Sequence, residues 1–328
     1  MIALARWQRR TVIWLVLGLT VLGAATTYAL RQRARPQTVV SLTFDDGFLS
    51  QLRAQSILSR YGDHATFYIN SARLDTARRL TADQVRLLAA EGNEIGGHTL
   101  DHVNLPTLER AARVKQICDD RIALVHLLGS DAVSSFAYPY GALTPAVERD
   151  VAVCGYNSAR TVGGLDARVG RCAGCPDAES ASPGHRFRIR SGPSFVASTP
   201  IAHATEQILA AERAGGGWVP LVFHEVCDHC SKMAITPANL TALLDWIHAR
   251  GIPVRTVGEV VGGATRPVVT TATALRHTNQ GALASFVAAG RTDLGWRPGL
   301  RLTVLAIVAL LFTLPVGTLA LLRSTGRW

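Results

Sequence analysis

Lysine is almost missing from these 328 residues: Lys115 and Lys232 are the only two, so a net charge of +10 rests nearly all on arginine. Aromatic residues make up only 6% of the chain, and the arginines are scattered rather than gathered into a stripe interleaved with rings. That distribution excludes the footprint of a nucleic-acid-binding protein. No internal repeat is present, which excludes a solenoid or propeller. The positive charge is compatible with anionic lipid or an acidic wall polymer. Nothing in the composition points to a protein partner.

Two stretches lack charge altogether, residues 11–30 and 302–322. Each is about 20 residues long, the length needed to cross a bilayer core. Arg6, Arg9 and Arg10 precede the first, and Arg31, Arg33 and Arg35 follow it, so the flanking charge sets no orientation. Its basic start and the small residues Gly23, Ala24 and Ala25 also fit a signal peptide. We read 1–36 as a signal-anchor or signal peptide, 37–262 as the folded domain and 263–300 as a linker. Residues 301–323 read as a transmembrane helix and 324–328 as a short tail.

Six cysteines, an even set, allow 15 pairings. In an exported domain disulfides are the default, and they place the middle of the chain outside the membrane. The expected pair is Cys118 with Cys154, which leaves Cys172-x-x-Cys175 and Cys227-x-x-Cys230 to pair locally or with each other. The two CxxC segments also read as zinc knuckles or as a thiol-exchange site.

Between 38 and 262, short apolar strands alternate with helical stretches, the mark of a mostly parallel α/β architecture. Strands are expected at 39–44, 65–69, 136–138, 156–159, 187–190, 218–223 and 253–257. Helices are expected at 49–60, from Thr81 as cap to about Gly92, and at 105–128, 145–154, 205–214 and 237–250. Residues 163–183, with four glycines, two prolines and two cysteines, break the rhythm and read as an ordered insertion. Residues 265–278 read as spacer, with a weak helix at 280–289.

The first strand ends in Phe44-Asp45-Asp46-Gly47. Asp-Asp-Gly is good turn chemistry, but two adjacent carboxylates can also divide their labour if a cation holds one and leaves the other as a base. His98 and His102, four residues apart, can face one cation from a turn. With Asp46 they make a two-histidine, one-carboxylate set that leaves positions open for water and substrate. His224 follows the apolar run 218–223, where it is either a core histidine or a proton carrier.

Together these motifs resemble the NodB-homology polysaccharide deacetylases, carbohydrate esterase family 4. Thr43-Phe44-Asp45-Asp46-Gly47 and His98-Thr99-x-x-His102 are similar to the family's first two motifs. Phe136-Ala137-Tyr138-Pro139-Tyr140-Gly141 and Leu221-Val222-Phe223-His224 are similar to later ones. The resemblance implies a deformed (β/α) barrel of the polysaccharide deacetylase type, here flanked by two apolar membrane segments. It also implies metal-dependent removal of N-acetyl or O-acetyl groups from a polysaccharide. Carried over, Asp45 is the general base, His224 the general acid, and Asp46, His98 and His102 hold a divalent metal. Zinc is expected, and such a donor set also accepts cobalt or nickel. The backbone N–H of Tyr140 helps bind the oxyanion.

Two departures matter: the third motif usually opens with an arginine that orients the base, and that position is Ala137, while the fourth motif, usually an acidic residue partnering that arginine, has no clear match. Arg160, expected at the C-terminal end of the following strand, is the candidate replacement; otherwise it is a surface arginine. The expectation is a membrane-anchored deacetylase whose domain is extracytoplasmic and acts on an acetylated envelope glycan. A carbohydrate-binding relative that has lost catalysis is the alternative, with thiol exchange the third reading.

Overall fold

The computed structural model describes residues 37–277 except 130–131, 167–171 and 173, together with residues 20 and 23. The apolar runs at 11–30 and 302–322 and the helix expected at 280–289 lie outside the described residues, apart from those two positions. Among the described residues no helix is long and apolar enough to cross a membrane.

Seven strands form one parallel sheet. In chain order they are β1 (Thr38–Phe44), β2 (Thr66–Ile69), β3 (Glu94–Gly97), β4 (Ser135–Ala137), β5 (Ser158–Gly164), β6 (Ile189–Ser191) and β7 (Gly217–Phe223). Their spatial order is β6-β5-β4-β3-β2-β1-β7, and every pairing is parallel. The chain beyond β6 then returns to β7: Phe195 N donates to the Val222 carbonyl at 2.9 Å, and Ser194 bridges Val222. The sheet therefore curls into a nearly closed barrel. Strands buried on both faces must be apolar almost throughout, which is why Val40, Leu42, Phe44, Leu221 and Phe223 all have no exposed surface.

Just below the C-terminal ends of these strands, four rings join across the barrel. Phe44 stacks on Phe67 at 5.2 Å and on Phe223 at 5.6 Å, and Phe223 meets Phe195 at 5.0 Å. Each such pair adds about 0.5–1.5 kcal/mol beyond its area burial. The result is a rigid floor under the strand ends that carry the candidate site.

The helices around the sheet are α1 (Gln51–Leu58), α2 (Ala82–Ala90), α3 (Arg110–Leu128), α4 (Pro145–Val153), α5 (Ala202–Arg213) and α6 (Pro237–Ala249). Thr81 caps α2 in a reciprocal capping box with Gln84. Residues Leu105–Thr107, expected at the start of one long helix, form a separate 3-10 turn before α3.

The expected strand at 253–257 is not one. It makes a single bridge, Val40 to Val254, flanked by hydrogen bonds from Val40 N to the Pro253 carbonyl and from Arg255 N to the Val40 carbonyl. Pro253 has no N–H to extend a ladder. Thr256 is already committed to capping the short helix α7 (Val257–Val261), in a second capping box with Glu259.

The stretch read as spacer from 263 onward is bound to the domain as far as 277. Buried Arg121 donates to the Arg266 carbonyl at 2.7 Å and the Pro267 carbonyl at 2.9 Å. Arg110 reaches the Ala274 and Leu275 carbonyls, both at 3.2 Å. Residue 274 is fully buried within α8 (Thr271–Arg276). Two guanidiniums on α3 thus satisfy carbonyls that a free spacer would leave to water.

Three disulfides are present: Cys118–Cys154, Cys172–Cys175 and Cys227–Cys230. The first ties α3 to the end of α4, with both cysteines fully buried. The other two close locally, one of the two expected pairings. The last lies in the turn between β8 (Glu225–Val226) and β9 (Ala234–Ile235), a small parallel pair beside the barrel. With a separation of 36 residues, loss of Cys118–Cys154 in a Cys118→Ala/Cys154→Ala variant should cost about 3–4 kcal/mol. Urea midpoints of the two proteins check this directly.

Candidate active site

All seven predicted site residues converge at one end of the barrel. Asp45 and Asp46 follow β1, His98 and His102 follow β3, Tyr140 follows β4, and His224 follows β7. Arg160 differs from expectation. It stands inside β5, not at its end, and its backbone is in register with Ala137 of β4. Side chains in register on neighbouring parallel strands share a face. The guanidinium therefore enters the site from the strand next door, at the level where Ala137 leaves room for it.

The guanidinium reaches its target. Arg160 Nη2 donates to Asp45 Oδ1 in a pair whose side chains are 0% and 3% exposed. The Arg160 guanidinium also lies over the Tyr68 ring, 4.7 Å from its centre. Burial alone would raise the Asp45 pKa, but the charge of Arg160, with His98 and His224, outweighs it and holds the carboxyl below its ordinary 3.8. Asp45 is thus an ionised carboxylate kept away from bulk water.

Asp46 takes a left-handed conformation, φ 76°, that turns its side chain away from that of Asp45 and toward the two imidazoles. Its Oδ1 lies 3.2 Å from His102 Nε2 and 3.4 Å from His98 Nε2, and this buried oxygen makes no well-formed hydrogen bond. Gly47 follows with φ 60°, and a Cβ there would press on Ile69 at 3.2 Å. Thr99, His102 and Tyr140 are also left-handed, with φ 69°, 59° and 60°. Four such non-glycine residues, each costing about 1–3 kcal/mol, mark a place where packing overrides local preference.

The imidazoles are held as ligands require. His98 Nδ1 lies 2.7 Å from the Ala137 carbonyl, the contact of an N–H donor, which turns the Nε2 lone pair toward Asp46. Thr99 Oγ1 accepts from His102 N at 2.9 Å and closes the turn between the two histidines. Burial, reinforced by His98, lowers the His102 pKa to about 4, so this ring is neutral near pH 7. Burial works the same way on His98, but its close contact with Asp46 and the charges of Asp45 and Asp46 prevail and raise its pKa. For Asp46, burial is overcome by His98 and His102, and its carboxyl stays far below the usual range.

One ligand atom from each of Asp46, His98 and His102 lies within 4.8 Å of the others. Two imidazole nitrogens around an orphaned, ionised carboxylate oxygen fit a divalent cation, which would supply the charge that oxygen lacks.

His224 is 9% exposed, and among the described residues its Nδ1 has no hydrogen-bond partner. Burial lowers its pKa, though Asp45 and Asp46 oppose the shift. Tyr140 is 68% exposed, with its ring edge-on to His102 at 4.6 Å. It forms a wall beside the histidines.

Sequence reasoning missed three supports. Gln51 Nε2 donates to the carbonyls of Asp45 (2.6 Å) and His224 (2.9 Å), tying β1 and β7 together where both acid-bearing ends emerge. Tyr68 is the ring under Arg160. Fully buried Asp120 accepts from Ser71 N and His98 N, both at 3.0 Å, and burial raises its pKa to about 6. Its signal was legible: a carboxylate on the apolar stripe of α3, between Ile117 and Leu124. Gly97 admits it, because a Cβ there would fall 1.9 Å from the Tyr156 hydroxyl and 2.9 Å from Asp120 Oδ2.

A nearly closed parallel barrel, with two carboxylates and two imidazoles at its C-terminal strand ends, is the architecture of an α/β barrel with a candidate metal site. Residues 32–159 match the family described as Polysaccharide deacetylase. Over 90 residues it is 37% identical to a chitin deacetylase of Pestalotiopsis sp, spanning 27% of this chain and 30% of that protein. Over 95 residues it is 34% identical to the peptidoglycan-N-acetylmuramic acid deacetylase PdaC of Bacillus subtilis, 28% of this chain and 20% of that one. The matched segments span a fifth to two-fifths of the length of these and a further Bacillus subtilis relative. Among solved structures, a family 4 acetyl xylan esterase from Clostridium thermocellum aligns with TM-score 0.48 at 20% identity. That alignment covers 68% of this chain and 90% of the other.

Proposed function

We propose that this chain is a metal-dependent hydrolase that removes acetyl groups from a polysaccharide on the extracytoplasmic side of a membrane. The observation that carries the reading is the division of labour at the end of β1: Asp45 is paired with Arg160, while Asp46 sits with His98 and His102. A merely structural acid pair would not need opposite surroundings for its two members.

A divalent ion, zinc first and cobalt or nickel as substitutes, would polarise the acetyl carbonyl and acidify the attacking water. Asp46, His98 and His102 would hold it. Asp45 takes the proton of the attacking water; its pairing with Arg160 keeps it ionised for that task. His224, close enough to feel the charge of Asp45, carries a proton to the departing amine or alcohol. The N–H of Tyr140 is assigned to the developing oxyanion. Tyr140, exposed beside His102, offers a ring face to the sugar.

The relatives are named for chitin and for peptidoglycan, which favours an N-acetylated amino-sugar polymer over an O-acetylated one. The apolar runs at 11–30 and 302–322 favour an envelope glycan reached from a membrane anchor. Acetate release across acetylated chitin, peptidoglycan and xylan fragments tests the reading. Turnover should disappear after chelation and return with zinc, with cobalt or nickel giving partial recovery. Turnover indifferent to chelation, or no release from any glycan by zinc-loaded protein, overturns it.

A further inference from the structure

The loop after β2 brings two arginines beside the metal-type centre, and neither forms an ion pair among the described residues. Arg79 Nη1 donates to the backbone carbonyl of Asp46, and its guanidinium lies 4.0 Å from the centre of the Phe48 ring. Arg73 Nη2 donates to the Asp101 carbonyl at 2.8 Å, one residue before His102. Both anchors are main-chain oxygens. Among the described residues no carboxylate lies within ion-pairing distance of either guanidinium, whereas neighbouring Arg78 is paired with Glu225 at 3.1 Å. The acid nearest Arg73 in sequence, Asp75, accepts from Ala82 N at 3.2 Å, and the Asp101 side chain accepts from Gln116 at 2.9 Å.

The two charges are near each other and near the site. Arg73 acts electrostatically on both Arg79 and His102, and Arg79 feels Asp46. Two like charges within electrostatic reach of each other, each anchored on a main-chain oxygen, repel, and an anion between them would relieve that repulsion. Each guanidinium keeps further N–H donors, in a planar fork that suits a carboxylate. The chain's few lysines make this choice less informative than the anchoring. The anchors hold both guanidiniums against the backbone beside the candidate metal ligands, at Asp46 and next to His102.

We propose that Arg73 and Arg79 are specificity-determining residues that select acetylated glycans bearing a carboxylate close to the acetyl group. The proposal rests on the deacetylase reading and narrows its substrate class to acidic amino sugars. Neutral chito-oligomers would bind through the metal centre and Tyr140 alone.

The test is a matched pair of N-acetylated oligosaccharides, one with a free ether-linked carboxylate and the other with that carboxylate as its neutral methyl amide. Wild-type protein should favour the acid in kcat/KM by about tenfold, the scale of one charge-assisted hydrogen bond. The preference should shrink as salt is raised. Arg73→Gln should bring the ratio close to one, and Arg73→Lys should restore part of it. A phosphorylated analogue favoured over the carboxylate, or equal turnover of acid and amide by wild type, overturns the proposal while leaving the deacetylase reading intact. If neither compound is deacetylated, that reading fails. Calorimetric affinities of the zinc-loaded chain for the same pair then decide the arginines, equal affinities counting against them. If Arg73→Gln does not fold, the wild-type salt dependence and the Lys variant carry the test.

Discussion

Asp45→Asn should lower acetate release by about 10²–10⁴-fold, the range for a positioned general base, while zinc uptake stays near wild type. The two carboxylates have separate partners, and this separation predicts the dissociation of the two readouts. Asp46, with His98 and His102, is untouched by the change. The amide still offers an oxygen to Arg160 but cannot take a proton from water. Turnover should be normalised to folded protein, because Arg160 is left without its counter-charge. Wild-type turnover in Asp45→Asn would remove Asp45 from the chemistry. Loss of zinc along with turnover would show that the two acids act as one unit.

Arg160→Ala should be the most destabilising change at the site, by about 3–5 kcal/mol at neutral pH. Both partners are buried, so removing one leaves a charge with no solvent to turn to. The pH dependence has a definite sign. In the wild type the Asp45 pKa is held below 3.8. Its stabilising contribution is therefore complete above that value and lost as pH falls through the folded-state pKa. Without Arg160, burial dominates and pushes the pKa up, so the variant's deficit should be greatest at neutral pH and shrink on acidification. In turnover, the acidic limb of the rate profile should move to higher pH, since the base must ionise unaided. Arg160→Lys should fall between, because it restores charge but not the fork. Urea unfolding at neutral and mildly acidic pH, with the pH–rate profile, checks both effects. An unchanged profile would make Arg160 a structural cation and no more.

The strain at the strand ends belongs with these expectations. Asp46, Thr99, His102 and Tyr140 all adopt left-handed backbone conformations. Each belongs to one of the motifs by which the site was recognised, so the motifs encode backbone shape as well as donor chemistry. Around them the Phe44, Phe67, Phe223 and Phe195 rings and the Gln51 bridge supply the rigidity that holds such conformations in place.

Much of this was legible along the chain. Branched apolar runs ending in an acid or a histidine gave β1 and β7 and the residues they deliver, whereas β3, Glu94-Ile95-Gly96-Gly97, is too short and too rich in glycine to be read as a strand. Thr81 followed by Gln84 marked the start of α2, because a capping box is local chemistry. The pairing of Cys118 with Cys154 also agreed with expectation. What could not be read was anything that depends on which strand lies beside which. Arg160 is 115 residues from Asp45, and no local pattern says that its guanidinium will fill the place left by Ala137. Only the register of β4 against β5 decides that. The docked segment 263–277 has the same cause. Local sequence sets propensity, but the partners that satisfy its carbonyls come from distant residues, here the Arg110 and Arg121 guanidiniums. The donor types and their order along the chain were thus written in the sequence. Their pairing into a held base and a separate metal-type triad was set by burial and strand register, which exist only in the folded barrel.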